Sequence, residues 1–173
     1  VHLDRMMARH GPGLVIVDSV YSTTGALCPL REMIEVVERH GSMILVDESH
    51  SLGTHGPQGA GLCAELGLTD RVHFITASLA KAFAGRAGFF TMPSAMRYYI
   101  LSSSFPNIFS SCLLPHEIAG LAATLQVVRG SDDARRRLHA TTARVRACLS
   151  DLVYPIHQGT DQPIALESIL AHD

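Results

Sequence analysis

Three short apolar runs constrain this chain most: LVIV at 14–17, MILV at 43–46 and VHFIT at 72–76. Each is followed by polar or turn-forming residues. Runs of this length read as strands buried on both faces. PLREMIEVVERHG, residues 29–41, separates the first two. There Met33, Ile34, Val36 and Val37 form an apolar helical face, Pro29 opens the helix and Gly41 stops it. Strand, helix and strand in that order pair in parallel through a right-handed crossover. The fold class is therefore α/β, a mainly parallel sheet flanked by helices. GFFTM, 88–92, adds a fourth strand. In such sheets the ligand sits beyond the carboxyl ends of the strands. Residues 18–22, 47–50 and 76–81 all fall there and converge on one edge.

Composition narrows the function classes. Of 173 residues, 47% are hydrophobic, enough for a substantial core. The net charge of −2 leaves no basic stripe for nucleic acid and no acidic tail. No apolar run reaches the ~18 residues of a membrane span. The opening VHLDRMMARHG has no signal-peptide apolar region. Cys28, Cys63, Cys112 and Cys148 are irregularly spaced with no C-x-x-C, which speaks against a metal or redox pair and favours a cytoplasmic setting. The chain begins without Met on what reads as a helix end, and stops soon after a strand-like PIALES, 163–168; both ends look cut from a longer protein.

The second half is helical. PSAMRYYILSSS, 93–104, reads as a helix and FPNIFSSCLLP, 105–115, as a loop. Pro115 starts a helix with apolar Ile118, Leu121, Leu125 and Val128. Ser131 is a plausible N-cap for a long amphipathic helix with Asp132 and Asp133 in its first turn. The reading divides the chain into a partial large domain, 1–130, and a linking helix with the start of a smaller domain, 131–173.

Chemistry concentrates in TASLAKAFAGRAG, 76–88. Lys81 lies among Ala, Ser and Gly just after a strand, so something bulky has room to approach its amine. Lysine amines form Schiff bases with carbonyls, and pyridoxal phosphate is the commonest such partner. A solvated surface lysine is the alternative. Asp47 closes the neighbouring strand, either as a sheet-edge ion-pair partner or as a carboxylate for a pyridine nitrogen. His50, three residues on, is either a loop histidine or a hydrogen-bond partner of a ring oxygen. Ser22, in the VYSTTG turn, is a further candidate for that oxygen, although turn serines usually bond their own backbone. Ser78, three residues before Lys81, offers a hydroxyl and a turn of backbone N–H groups to a phosphate. Arg86 is the nearest cation to Lys81 in sequence, either exposed or neutralising an anion. Ser110 and Ser111 read as a helix-flanking pair. GTHGPQGAG, 53–61, does not fit the dinucleotide or P-loop patterns, and no G-x-S-x-G elbow is present.

The succession VDSVYSTTG, VDESHSLGTHGPQGAGL, TASLAKAFAGRAG and FSSCLLP resembles the α-oxoamine synthases, fold-type I pyridoxal-phosphate enzymes, from about residue 10 to residue 167. Ser49 and the SLAK sequence resemble most the branch that makes quorum-sensing autoinducers. The resemblance implies pyridoxal 5'-phosphate as cofactor, with Lys81 forming the Schiff base, Asp47 at the pyridine nitrogen, His50 and Ser22 by the ring hydroxyl and Ser78 at the phosphate. Ser110 and Ser111 resemble the pair that reaches the neighbouring subunit's phosphate, which implies a homodimer with shared sites. The implied reaction condenses an acyl-CoA with an amino acid or S-adenosylmethionine, with decarboxylation, to an α-amino ketone. The family's N-terminal ring-stacking histidine and C-terminal carboxylate-binding arginine have no counterpart here, so the chain alone is expected to be inactive.

Overall fold

A computed structural model describes residues 2–152. Helix α1 (His2–His10) leads into β1 (Leu14–Asp18), α2 (Leu30–Arg39) and β2 (Met43–Asp47). A glycine-rich segment and the short α3 (Leu62–Glu65) connect to β3 (Phe74–Ser78) and β4 (Gly88–Phe90). Four helices follow: α4 (Arg97–Ser103), α5 (Phe105–Phe109), α6 (Pro115–Arg129) and α7 (Asp132–Asp151). The four strands form one sheet in the order β1-β2-β3-β4. The first two pairings are parallel and the last is antiparallel. This is the expected α/β class. The strand-like 163–168, and the domain start assigned to that region, lie outside the described residues.

Helix α2 shows how the core is built. Leu30, Ile34 and Val37 recur at one-turn spacing and are buried, packing with Val17, Ile44 and Val46 of the sheet. Met33 and Val36 flank that core, partly buried. Pro29 occupies the N-cap, where its fixed φ suits the helix start, and Gly41 turns the chain at φ +59°.

Three expectations need correction. Strand β1 is not buried on both faces: Ile16 is 67% exposed and Leu14 47%. Among the described residues, the packed core covers one face of β1. The segment 105–115 is not all loop, because Phe105–Phe109 closes a helical turn with Pro106 at its start. Proline is tolerated there, since its missing N–H has no helical partner in any case. Ser131 does occupy the N-cap of α7, but its side chain makes no cap bond; its hydroxyl donates back to the Val127 carbonyl at 2.6 Å.

Candidate active site

Parallel register sets the site. Asp18 pairs with Asp47, and Asp47 with Thr76, across the ends of β1, β2 and β3. Residues in register in neighbouring strands present their side chains to the same face. The ladder continues past the strand ends: Ser19 N–H donates to the Asp47 carbonyl at 2.8 Å, and Glu48 N–H to the Thr76 carbonyl at 2.7 Å.

The half-buried Asp47 carboxylate has defined partners. Oδ1 accepts from Ser49 N–H at 2.9 Å and Oδ2 from the Thr76 hydroxyl at 2.6 Å. Burial alone pushes its pKa up. The bonds from Ser49 and Thr76, with the charge of Lys81, outweigh that and hold the carboxyl below the usual Asp value. Asp47 is thus a charged acceptor at neutral pH, within electrostatic reach of the Lys81 ammonium.

Lys81 stands in the loop between β3 and β4. The antiparallel stems pair Ser78 with Gly88. Above them Leu79 N–H bonds Ala87 O at 2.8 Å, Gly85 N–H bonds Leu79 O at 2.9 Å, and Ala84 N–H bonds Lys81 O at 3.0 Å. The loop is therefore closed on itself, with Lys81 and Arg86 exposed. Ser78 sits at its base. Its N–H is occupied by Ser49 Oγ at 2.7 Å, and its own Oγ accepts from Ala80 N–H at 3.3 Å.

His50 is half-buried in the turn after β2, and its carbonyl accepts from Thr54 Oγ1 at 3.1 Å. Ser22 is half-buried in a small turn after β1, closed by Gly25 N–H to Tyr21 O at 2.7 Å. These two, with Asp47, Ser78 and Lys81, lie at or just past the carboxyl ends of adjacent strands. Ser110 and Ser111 lie elsewhere, at the C-terminal end of α5. Both are exposed, and Ser111 has φ +65°. A cavity of about 640 Å³, between the Thr54–Pro57 turn and α7, is lined by none of these residues.

Sequence reasoning missed the support beneath the site. Glu48 is 1% exposed and anchors a buried polar network. Its carboxylate accepts from Leu62 N–H at 2.8 Å and Cys63 N–H at 2.7 Å, and from the Ser51 hydroxyl. Ser51 Oγ in turn meets Ser19 Oγ at 2.7 Å, and Ser19 Oγ reaches the Asp47 carbonyl at 2.9 Å. Burial pushes the Cys63 thiol well up, aided by the neighbouring Glu48. The alternation of Asp47 and Glu48 at a strand end was the available signal: successive side chains point to opposite faces, so one of the two carboxylates turns inward. Helix α7 also braces the turn after His50. His139 Nε2 meets Thr54 O at 2.8 Å, and the buried Arg135 reaches Gly53 O and Val128 O.

The family profile "Aminotransferase class I and II" matches residues 2–165. Over 166 residues the chain is 45% identical to the CAI-1 autoinducer synthase of Vibrio campbellii, covering 96% of this chain and 42% of that protein. It is 37% identical to 5-aminolevulinate synthase 2 of Cereibacter sphaeroides, over 90% of this chain and 39% of that one. Among solved structures, Sphingomonas wittichii serine palmitoyltransferase superposes with a TM-score of 0.85 at 29% identity, covering 92% of this chain and 41% of that one. The chain spans about two fifths of the length of these relatives.

Proposed function

Because the chain belongs to the aminotransferase class I and II family, we propose that it carries the cofactor-binding centre of a pyridoxal-5'-phosphate-dependent acyltransferase of the α-oxoamine synthase type. The observation that carries the reading is a charged, hydrogen-bonded Asp47 at the carboxyl end of β2, within electrostatic reach of the Lys81 amine just past the end of the paired parallel strand β3. That donor set fits the cofactor: a carboxylate for a pyridinium N–H, and a primary amine for an aldehyde. The bound ring would supply an electron sink for negative charge at the substrate Cα.

The residues divide the work by position. Asp47 holds the proton on the ring nitrogen. Lys81 Nζ tethers the cofactor covalently and moves the proton at the substrate Cα. His50 and Ser22 donate or accept at the ring hydroxyl. Ser78 holds the phosphate, and Ser110 with Ser111 reaches the phosphate in the second subunit of a homodimer. In the overall reaction a bond forms between the amino substrate's Cα and the acyl carbonyl. The thioester C–S bond breaks, coenzyme A leaves as thiol, and the substrate carboxylate departs as carbon dioxide.

The likeness to the autoinducer synthase favours an autoinducer precursor as product, made from an acyl-CoA with an amino acid or S-adenosylmethionine. The 37% identity to 5-aminolevulinate synthase 2 supports the second reading, an α-oxoamine synthase using a different amino acid. In this scheme 1–130 belongs to the large domain, and 131–173 forms the linking helix and the start of a small domain, in a cytoplasmic enzyme. Among the described residues no helix is long and apolar enough to cross a membrane.

Lys81→Ala in the intact protein tests the chemistry. It removes the amine that holds the cofactor, so bound cofactor washes out on gel filtration and its visible absorbance is lost. Retention of a covalent cofactor linkage in Lys81→Ala would overturn the assignment. Coenzyme A release from decanoyl-CoA with S-adenosylmethionine, 2-aminobutyrate, alanine or glycine separates the two readings, and preference for glycine or alanine rejects the autoinducer one.

A further inference from the structure

We propose that Thr76 is a positioning residue for Asp47, the upper rung of a hydrogen-bonded frame that ties the carboxylate strand to the lysine strand. The frame has two rungs between β2 and β3. One runs from Thr76 Oγ1 to Asp47 Oδ2 at 2.6 Å, and the other from Ser78 N–H to Ser49 Oγ at 2.7 Å. Ser49 N–H to Asp47 Oδ1, at 2.9 Å, joins them just past the end of β2. The β3 segment that contributes Thr76 and Ser78 runs directly into the Lys81 loop, so the frame fixes the carboxylate relative to the amine.

The chemistry suits a threonine. Its β-branched side chain is stiff about χ1, so the hydroxyl is held in place before any ligand arrives. An ionised carboxylate has about four acceptor sites. The Ser49 N–H fills one on Oδ1 and the Thr76 hydroxyl one on Oδ2, with the Ser49 hydroxyl adding to the hold, which fixes the carboxylate plane. Both bonds favour the charged form. The ionisable groups around Asp47 are Asp18, its register partner on β1, His50 in the following turn, and Lys81 beyond β3. Ser49, through its hydroxyl and its N–H, the Thr76 hydroxyl and Lys81 favour the anion, and of these Thr76 is the donor contributed by the lysine strand.

The inference rests on Asp47 serving the ring nitrogen, but its decisive measurement does not require the cofactor. In the cofactor-free intact protein, carbon-13 resonances of labelled aspartate carboxyls report the Asp47 titration, assigned by its loss in Asp47→Asn. Thr76→Val keeps the branched shape and removes the donor; Thr76→Ser restores a donor. The expected result is an upward shift of the Asp47 midpoint in Thr76→Val and a return toward wild type in Thr76→Ser. In parallel, titration with pyridoxal 5'-phosphate is expected to bind about tenfold more weakly in Thr76→Val, as befits one lost bond to a charged group. An unchanged Asp47 midpoint in Thr76→Val overturns the proposal. If Asp47→Asn binds pyridoxal 5'-phosphate as tightly as wild type, the ring-nitrogen reading fails instead, and the two outcomes are separable.

Discussion

Replacing Gly61 by alanine attacks the network beneath the site through a single methyl group. Gly61 has φ +98°, and a Cβ there would lie 2.3 Å from Glu48 Oε2 and 2.8 Å from Glu48 Cδ. Two penalties arise. Alanine at φ +98° and ψ 175°, a region that essentially only glycine adopts, is strained by about 1–3 kcal/mol. The Glu48 carboxylate must also move, although it is buried and accepts from Leu62 N–H, Cys63 N–H and Ser51. Weakening one or two such bonds to a charged acceptor adds about 2–3 kcal/mol, for a total of about 3–6 kcal/mol. Gly67 is the internal control. It has φ +66°, and its added Cβ meets nothing within 4 Å, so Gly67→Ala carries the backbone strain alone. Urea unfolding followed by circular dichroism compares the two. In a Glu48→Ala background the obstruction is gone, and Gly61→Ala should then cost only its backbone strain, about 1–3 kcal/mol. Equal destabilisation by Gly61→Ala and Gly67→Ala in the wild-type background refutes the reasoning.

Ile34→Ala, at the fully buried centre of α2, should destabilise by about 2–5 kcal/mol in the same unfolding assay; a loss below ~1 kcal/mol contradicts the packing described. Arg135→Leu removes the bonds from α7 to Gly53 O and Val128 O, so amide exchange around residues 53–56 should quicken, and unchanged protection there disproves the brace. The pKa of Asp47 is depressed in the fold, so its ionised form stabilises the protein above the unfolded Asp value of ~3.9, and that contribution fades as pH falls through the lower folded value. The stability gap between wild type and Asp47→Asn should therefore be constant near neutrality and shrink below about pH 4; a gap that grows with acidification contradicts the sign.

The strands were readable because continuous apolar runs have few alternatives: β1 and β2 fall where LVIV and MILV stand, and β3 begins two residues into VHFIT and runs two residues past it. The convergence of 18–22, 47–50 and 76–81 followed from the parallel register, which aligns Asp18, Asp47 and Thr76. Partners distant in sequence were not readable. Nothing near Glu48 announces that its acceptors will be met by N–H groups 14 and 15 residues away. The antiparallel sense of β4 was equally hidden: GFF is too short for alternation to reveal its direction, and the loop's own hydrogen bonds decide it. Phe105–Phe109 reads as loop in the sequence, yet proline is compatible with a first helical turn.

The antiparallel β3–β4 hairpin also bears on the order in which the site assembles. Its stems are separated by a loop of nine residues, 79–87, whereas β1 reaches β2, and β2 reaches β3, only across intervals of 24 and 26 residues. Short-range closure precedes long-range pairing, with hairpins forming in roughly 1–10 μs. The lysine loop is then an early, locally encoded object, and the carboxylate arrives later with the crossover. Pulse-labelled hydrogen exchange during refolding should find the amides of Leu79 and Gly85 protected before Ser19, whose bond to the Asp47 carbonyl awaits the docking of β1 on β2.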